Sequence, residues 1–168
     1  MIRLFLIRHA KSAWDEPALP DHARPLNARG HRGAATIGRW LAGGDALPTL
    51  ALVSDARRTR ETWAGIEAET GDLPERFEPA LYDAAPETIL GVLQSAPPTP
   101  RLALLGHNPG IAETARRLLA DRPGSPDFAK YPTAATTVID FDAPDWSAVD
   151  WGTGRLVTFV TPKILREG

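Results

Sequence analysis

Short apolar runs alternate with amphipathic stretches along most of this chain. The runs 2–7, 50–53 and 101–105 are typical of buried strands, and each leads directly into a polar loop. Apolar side chains at helical spacing predict helices over 27–41, from the polar loop after 50–53 through Ile66, over 86–93 and over 111–119. Near the C-terminus, 134–141 and 155–161 alternate apolar and β-branched residues with polar ones, which predicts a strand pair.

Three strand-to-helix passages in series predict an α/β fold. We expect one domain over residues 1–168, a three-layer sandwich with a mostly parallel central sheet, helices on both faces and an antiparallel C-terminal strand pair. A short strand is expected near Phe77 in the connecting stretch 74–81. The segment 14–25 holds three prolines, so it is expected to be irregular. In such a fold, ligands bind beyond the carboxyl ends of the parallel strands.

Composition narrows the chemistry. The chain has 168 residues, no cysteine, and 19 basic against 21 acidic residues, for a net charge of −2. The absence of cysteine excludes thiolate nucleophiles and cysteine-ligated metals, and the lack of a basic excess argues against nucleic-acid binding. The first apolar run ends at once in Arg8 and His9, so we expect neither an export signal nor a membrane span, and a cytoplasmic protein.

The predicted strand ends collect cationic and imidazole side chains. Arg8 and His9 follow the first strand, Arg57 and Arg58 the second, and His107 the third. Gathered at one edge of a sheet, they would form a cationic pocket suited to a phosphoryl group, because arginine donates two parallel hydrogen bonds to phosphate oxygens. Neutral imidazole can attack phosphorus, and arginines can stabilise the charge of the transferring group. No short metal-ligand spacing is present, so we expect no metal and no cofactor.

Several motifs together resemble the histidine phosphatase (phosphoglycerate mutase-like) superfamily. Residues 6–14 (LIRHAKSAW) are similar to its Arg-His-Gly signature, with Ala10 in the glycine place. Residues 54–62 resemble its Ser-Pro-Leu-x-Arg-Ala-x-x-Thr stretch and align Arg58 with the phosphate-binding arginine, and 106–110 match its second-histidine motif. The segment 24–30 and the short length resemble the small SixA-like branch, which is known for phosphohistidine phosphatases. The likeness covers essentially the whole chain.

The resemblance implies roles for individual residues. His9 is then the nucleophile, Arg8 and Arg58 hold the phosphoryl group, and His107 contacts the transferred oxygens. Substrate contacts are also expected from Ser12, Trp14 and Arg57. Asp15 stands where many mutase-type members have an asparagine. Asp83 is the first candidate for the general acid and Glu87 the second, because the glutamate of mutase-type members has no clear counterpart here. Having no acid is the remaining alternative, since an imidazole leaving group needs a protein acid less.

The function expected from these residues is metal-independent hydrolysis through a phosphohistidine intermediate on His9. The substrate is a phosphohistidine-bearing protein or a small phosphomonoester. The alternatives are a noncatalytic phosphate- or phosphopeptide-binding module and, third, a phosphoglycerate mutase. Activity should fall as His9 protonates, near pH 6 for an ordinary histidine.

Other polar residues are expected to have structural roles. Asn108, with Pro109 at the first helical position, is predicted to cap the helix that follows it. Ser54 could likewise cap the helix that follows the second strand. A Ser-His-Asp hydrolase is disfavoured, because no histidine is tied to Ser54 in sequence. His22 and His31 are expected at the surface.

Overall fold

Six strands form one sheet in the computed structural model, which describes residues 1–168. They are β1 (Ile2–Arg8), β2 (Leu50–Ser54), β3 (Glu75–Glu78), β4 (Arg101–Gly106), β5 (Thr136–Phe141) and β6 (Gly154–Val160). The strand order is β3-β2-β4-β1-β5-β6. The pairs β1–β4, β2–β4 and β2–β3 are parallel, whereas β1–β5 and β5–β6 are antiparallel. The predicted parallel sheet with an antiparallel C-terminal pair is confirmed, including the short strand at Phe77.

Six helices accompany the sheet. They are α1 (Ala28–Ala42), α2 (Arg57–Thr70), α3 (Pro86–Gln94), α4 (Gly110–Leu118), α5 (Pro126–Lys130) and α6 (Pro162–Glu167). The first four were predicted, with ends that differ by one residue, except that α2 continues to Thr70, four residues beyond Ile66. The short helices α5 and α6 were not predicted, because five or six residues are too few to show an amphipathic period.

The central strands β1, β2 and β4 bury both of their faces, which makes the three layers of the sandwich. Successive side chains of β1 alternate between the faces, so Leu4 and Leu6 join one apolar cluster while Phe5 and Ile7 join the other. The first cluster packs against α3, α4 and α5, and the second against α1 and α2. Both faces of these central strands are therefore dry, and their polar side chains lie at or next to the strand ends.

Helix α1 packs closely against the loop that follows β1. Asn27 caps the helix by accepting a hydrogen bond from the Gly30 backbone N–H at 2.8 Å. A Cβ atom on Gly30 would lie only 2.0 Å from the carbonyl oxygen of Lys11. Glycine is required at this position because the helix and the loop approach each other backbone to backbone.

The predicted capping role of Asn108 is wrong. Helix α4 begins at Gly110, with Pro109 at the capping position and no side-chain cap. The Asn108 amide instead donates to the carbonyl oxygens of Lys130 and Tyr131, at 3.3 and 3.0 Å. Asn108 therefore ties the loop after β4 to the segment between α5 and β5, a partner that only the folded chain supplies.

None of the helices has both the length and the apolar character needed to cross a membrane.

Replacing Gly30 by alanine tests the close packing of α1 on the loop after β1. We expect Gly30→Ala to lower the free energy of unfolding by about 2 kcal/mol, because the new methyl group must displace backbone. Gly91→Ala is the matched control, since nothing lies within 4 Å of a Cβ at this exposed position of α3. It should stabilise the protein by about 0.5 kcal/mol. Urea unfolding measures both values, and a Gly30→Ala variant as stable as the parent would contradict the close approach.

Candidate active site

The parallel pairing of β1 and β4 brings two histidines side by side. Arg8 of β1 lies opposite Gly106 of β4, so the next residues are His9 and His107. The backbone N–H of His9 donates to the Gly106 carbonyl at 3.1 Å, which extends the pairing by one step. The two imidazole rings lie 5.3 Å apart between centroids, and the residues are only 7% and 3% exposed. The predicted meeting of these strand ends is confirmed.

Two arginines adjoin the histidines. Arg58, in the first turn of α2, is 6% exposed, and Arg8 donates from Nη1 to the Tyr131 carbonyl at 3.1 Å. Burial lowers the pKa of Arg8, and the nearby positive charge of Arg58 lowers it further. The Nε atom of Arg8 is buried and has no hydrogen-bond partner. Both guanidinium groups remain charged, so the pocket concentrates positive charge away from water.

His9 is held as a neutral imidazole with a defined tautomer. Its Nδ1 lies 2.7 Å from the Ala10 carbonyl oxygen, which can only accept a hydrogen bond. Nδ1 therefore carries the hydrogen, and Nε2 has the free lone pair. Burial, followed by the charges of Arg8 and Arg58, outweighs that hydrogen bond and lowers the pKa of His9 to about 4. At neutral pH the ring is unprotonated and able to act as a nucleophile.

His107 is also neutral, and Ser54 orients it. Ser54 Oγ lies 2.7 Å from His107 Nε2, whereas His107 Nδ1 is buried without a partner. Burial, then the neighbouring His9, lowers the pKa of His107 to about 3. When the Ser54 hydroxyl donates to Nε2, Nδ1 carries the hydrogen and is free to donate to an oxyanion.

The structure corrects the expectations for Ser54. Ala56, rather than Ser54, occupies the capping position of α2. Ser54 does contact a histidine, His107. However, Ser54 is fully buried, and Nδ1 of His107 has no hydrogen-bond partner. A Ser-His-Asp triad requires an acid at that second nitrogen, so this pair is not a serine nucleophile with its base.

Asp21 and Tyr82 complete the surroundings of Arg58, and sequence analysis missed both. The backbone carbonyl of Asp21 accepts from Arg58 Nη1 at 2.8 Å, and its Oδ2 accepts from Nη2 at 3.0 Å. Tyr82 donates its hydroxyl hydrogen to the same Oδ2 at 2.5 Å and packs edge-on against His107, with centroids 5.4 Å apart. The Tyr82 and Arg58 hydrogen bonds lower the pKa of Asp21, and the Asp21 carboxylate raises that of Tyr82 to about 12. Asp21 is therefore a half-exposed carboxylate at the edge of the pocket.

Arg24 holds the loop that presents Asp21. The segment 14–25 is irregular as predicted, apart from a single helical turn at Asp21–Ala23. Arg24 is buried and donates to the carbonyl oxygens of Glu16, Pro17 and Leu19 at 3.1 to 3.2 Å. These bonds replace the regular backbone pairing that the prolines prevent. No local sequence pattern marks Asp21, because its partners Arg58 and Tyr82 are far away in the chain.

The predicted substrate contacts differ in position. Ser12 is buried in the loop after His9 and forms an isolated bridge with Leu26. Trp14 is 60% exposed, with the guanidinium group of Arg24 packed 3.9 Å from its ring centroid. Arg57 is exposed and pairs with Glu61 one helical turn later at 3.1 Å. None of the three is hydrogen-bonded to a pocket residue, so their substrate roles remain predictions.

Neither predicted acid is hydrogen-bonded to the histidines. Asp83 is exposed, has a positive φ of 47° and follows Tyr82 at the pocket edge. Glu87 accepts from Arg117 of α4 at 2.9 Å, and this bond lowers the pKa of the Glu87 carboxyl. Glu87 is thus paired with an arginine of α4, and the acid role of Asp83 or Glu87 stays a prediction.

His22 and His31 are exposed, as predicted. His22 also packs edge-on against Tyr82 and pairs with Asp55 at 3.0 Å, which places it next to the pocket. No group of three or more histidine, aspartate or glutamate side chains is arranged to hold a metal ion.

Comparisons with known proteins agree with this geometry. The family model of the histidine phosphatase superfamily (branch 1) matches residues 4–91, which include His9 and Arg58. An uncharacterised protein of Mycobacterium tuberculosis is 35% identical over 94% of this chain and all of its own length. An uncharacterised chloroplastic protein of Arabidopsis thaliana is 37% identical over 69% of this chain, which spans only 58% of that relative.

Two solved structures share the whole architecture. A protein described as a candidate phosphohistidine phosphatase SixA from Nakamurella multipartitia has a TM-score of 0.80 and 27% identity, covering 96% of both chains. Another with the same description, from Agrobacterium tumefaciens, has a TM-score of 0.79 and 28% identity, covering 96% of this chain and 98% of its own. The paired histidines, the buried arginines and these matches lead to one conclusion: the chain belongs to the histidine phosphatase superfamily.

Proposed function

We propose that the protein is a metal-independent phosphohydrolase that transfers a phosphoryl group to Nε2 of His9 and then to water. The observation that carries the proposal is the neutral pair His9 and His107 beside the buried Arg58 and the half-buried Arg8. Buried polar atoms are almost always satisfied, yet Arg8 Nε and His107 Nδ1 have no partner. A phosphoryl group in the pocket would supply acceptor oxygens for both atoms and offset the positive charge of Arg8 and Arg58.

Two steps complete the reaction. In the first, the Nε2 lone pair of His9 forms a bond to phosphorus while the bond from phosphorus to the leaving group breaks. In the second, water attacks phosphorus, the bond to Nε2 breaks, and inorganic phosphate leaves with His9 restored. Throughout, Arg8, Arg58 and the Nδ1–H of His107 stabilise the charge on the equatorial oxygens, in positions fixed before the substrate arrives.

Phosphohistidine on a protein is the proposed substrate, ahead of a small phosphomonoester. Neither Asp83 nor Glu87 is hydrogen-bonded within the pocket, and an imidazole leaving group can bring its own proton because histidine titrates near neutral pH. The half-exposed Asp21 carboxylate at the pocket edge attracts a cationic imidazolium and repels leaving groups that carry a carboxylate. The similarity to two candidate phosphohistidine phosphatases supports the same choice.

Turnover of two phosphodonors by His9→Ala tests the proposal. A phosphohistidine peptide and p-nitrophenyl phosphate are supplied with excess chelator, and phosphate release is measured. We expect turnover by the parent protein and none by His9→Ala, because the attacking nitrogen is gone. His31→Ala, an exposed histidine on α1, is the matched control and should keep full activity. Persistent turnover by His9→Ala, or loss of the parent activity with chelator, would contradict the proposal. Oxyanion binding by the parent protein without any turnover would favour the noncatalytic module.

The neighbouring arginines provide a second test. Arg58→Ala should lower kcat/KM on the order of 100-fold, because it removes a preorganised charge from the transferring oxygens. Arg60→Ala, on the same helix, should change it less than threefold, since that side chain is exposed and packs over the Phe77 ring. Steady-state kinetics on the better donor distinguishes the two, and equal effects of both substitutions would contradict the placement of Arg58.

The protonation of His9 provides a third test and revises the expected pH dependence. Burial lowers the pKa of His9 to about 4, so His9 is only slightly protonated at pH 6 and little activity is lost there. An ordinary histidine would instead lose activity near pH 6. Nitrogen-15 NMR of the free protein should show His9 as the Nδ1–H tautomer with a pKa near 4. His9→Asn identifies the signal by its loss. A pKa of 6.5 or above would show that the ring is not held neutral.

A further inference from the structure

A second cationic cavity lies outside the proposed phosphoryl pocket. It encloses about 110 Å³ between α1, α6 and the loop after β1, and is called here the α1–α6 cavity. Its charged lining residues are Lys11, Arg29, Lys163, Arg166 and Asp127. Thr133 and Thr161 add hydroxyl groups to the wall. None of the pocket residues His9, Arg58, His107, Asp21 and Tyr82 lines this cavity.

Sheet topology explains why the cavity adjoins the site. β5 runs antiparallel to β1 and begins where β1 ends, with Thr136 opposite Ile7. β6 runs antiparallel to β5 and ends beside the start of β5, with Val160 opposite Thr136. The loop into β5 and the start of α6 therefore lie at the same sheet edge as the histidines, displaced toward β6. Lys11 is two residues after His9 and links the two sites along the chain.

The four cations lining the cavity form no ion pair within the protein. None of the eight ion pairs and none of the side-chain hydrogen bonds of the protein involves Lys11, Arg29, Lys163 or Arg166. Arg57 and Arg117, for example, are both paired. Asp127 is the single carboxylate in the lining and is exposed. Three of the four cations are exposed, so water screens part of their mutual repulsion, and an anion bound among them would offset the rest.

An open depression continues from the cavity along α1 and reinforces the positive potential. The two concavities share Arg29 and Arg166, and the depression adds Arg32 and Arg39 with no carboxylate in its lining. Of these four arginines, Arg39 alone forms an ion pair, with Glu69 at 3.2 Å. In a protein of net charge −2, this concentration of positive charge on one face favours an anionic ligand.

We propose that the α1–α6 cavity binds an oxyanion, a phosphate or a carboxylate group, separately from the His9 pocket. The enclosed volume suits a single small group, and three different segments of the chain supply the cations around it. Two sources share this chemistry: free inorganic phosphate, and an acidic side chain of a protein docked at the sheet edge. The inference does not depend on the proposed reaction, because it concerns binding outside the residues that would perform it.

Amide chemical shifts in an Arg58→Ala background test the site with inorganic phosphate, since this background weakens binding at the His9 pocket. Phosphate should shift the amides of Lys11, Thr133 and Lys163 in a saturable manner. Adding Arg29→Ala and Arg166→Ala should weaken that binding about tenfold or more, because two charged donors are lost. Arg122→Ala is the matched control, an exposed and unpaired arginine outside the cavity, and should leave the affinity unchanged.

A second arm of the same experiment replaces phosphate with a glutamate-containing peptide and its glutamine counterpart. Shifts with phosphate alone assign the site to a free oxyanion, and shifts with the glutamate peptide but not the glutamine peptide assign it to an acidic protein segment. Either result supports the inference. The inference is overturned if neither probe shifts the cavity amides, or if the paired substitutions leave the affinity for both probes unchanged.

Discussion

The register between β1 and β4 is the constraint on which the site depends. Arg8 lies opposite Gly106, so His9 and His107 leave the sheet side by side at the edge where parallel strands end. A slip of one residue would turn every side chain of β1 to the opposite face. Both faces of β1 pack into apolar clusters, and these clusters therefore fix the position of the two histidines as well as the stability of the sheet.

Burial then determines the chemistry of those histidines. Removing imidazole from water disfavours the charged form, and the charge of Arg58 acts in the same direction on both rings. An imidazole nitrogen is thereby kept unprotonated beside two charged guanidinium groups, as the proposed phosphoryl transfer requires. Asp21 is the opposing charge, and it holds the guanidinium group of Arg58 by two hydrogen bonds without entering the buried pair.

Sequence reasoning predicted the sheet, its direction change and the meeting of His9, Arg8, Arg58 and His107, because strand ends follow from local hydrophobic patterns and parallel strands end at one edge of a sheet. It did not predict the strand order, which depends on long-range packing. It missed Asp21, since a loop carboxylate has no pattern that points to Arg58, 37 residues later in the chain. It misassigned Asn108 and Ser54 for the same reason: both residues favour local caps, and the folded chain offered each a distant partner instead. Long-range side-chain pairing, unlike hydrophobic periodicity, becomes visible only in three dimensions.

Chemical identification of the phosphorylated residue tests the central claim most directly. The protein is mixed with a labelled phosphodonor, quenched within a single turnover, and mapped by mass spectrometry under alkaline conditions that preserve phosphohistidine. An acid-labile, alkali-stable phosphoryl group is expected on His9, forming no more slowly than phosphate is released and decaying at the rate of that release. Turnover with no label on His9, or with the label on His107 or another residue, would contradict it.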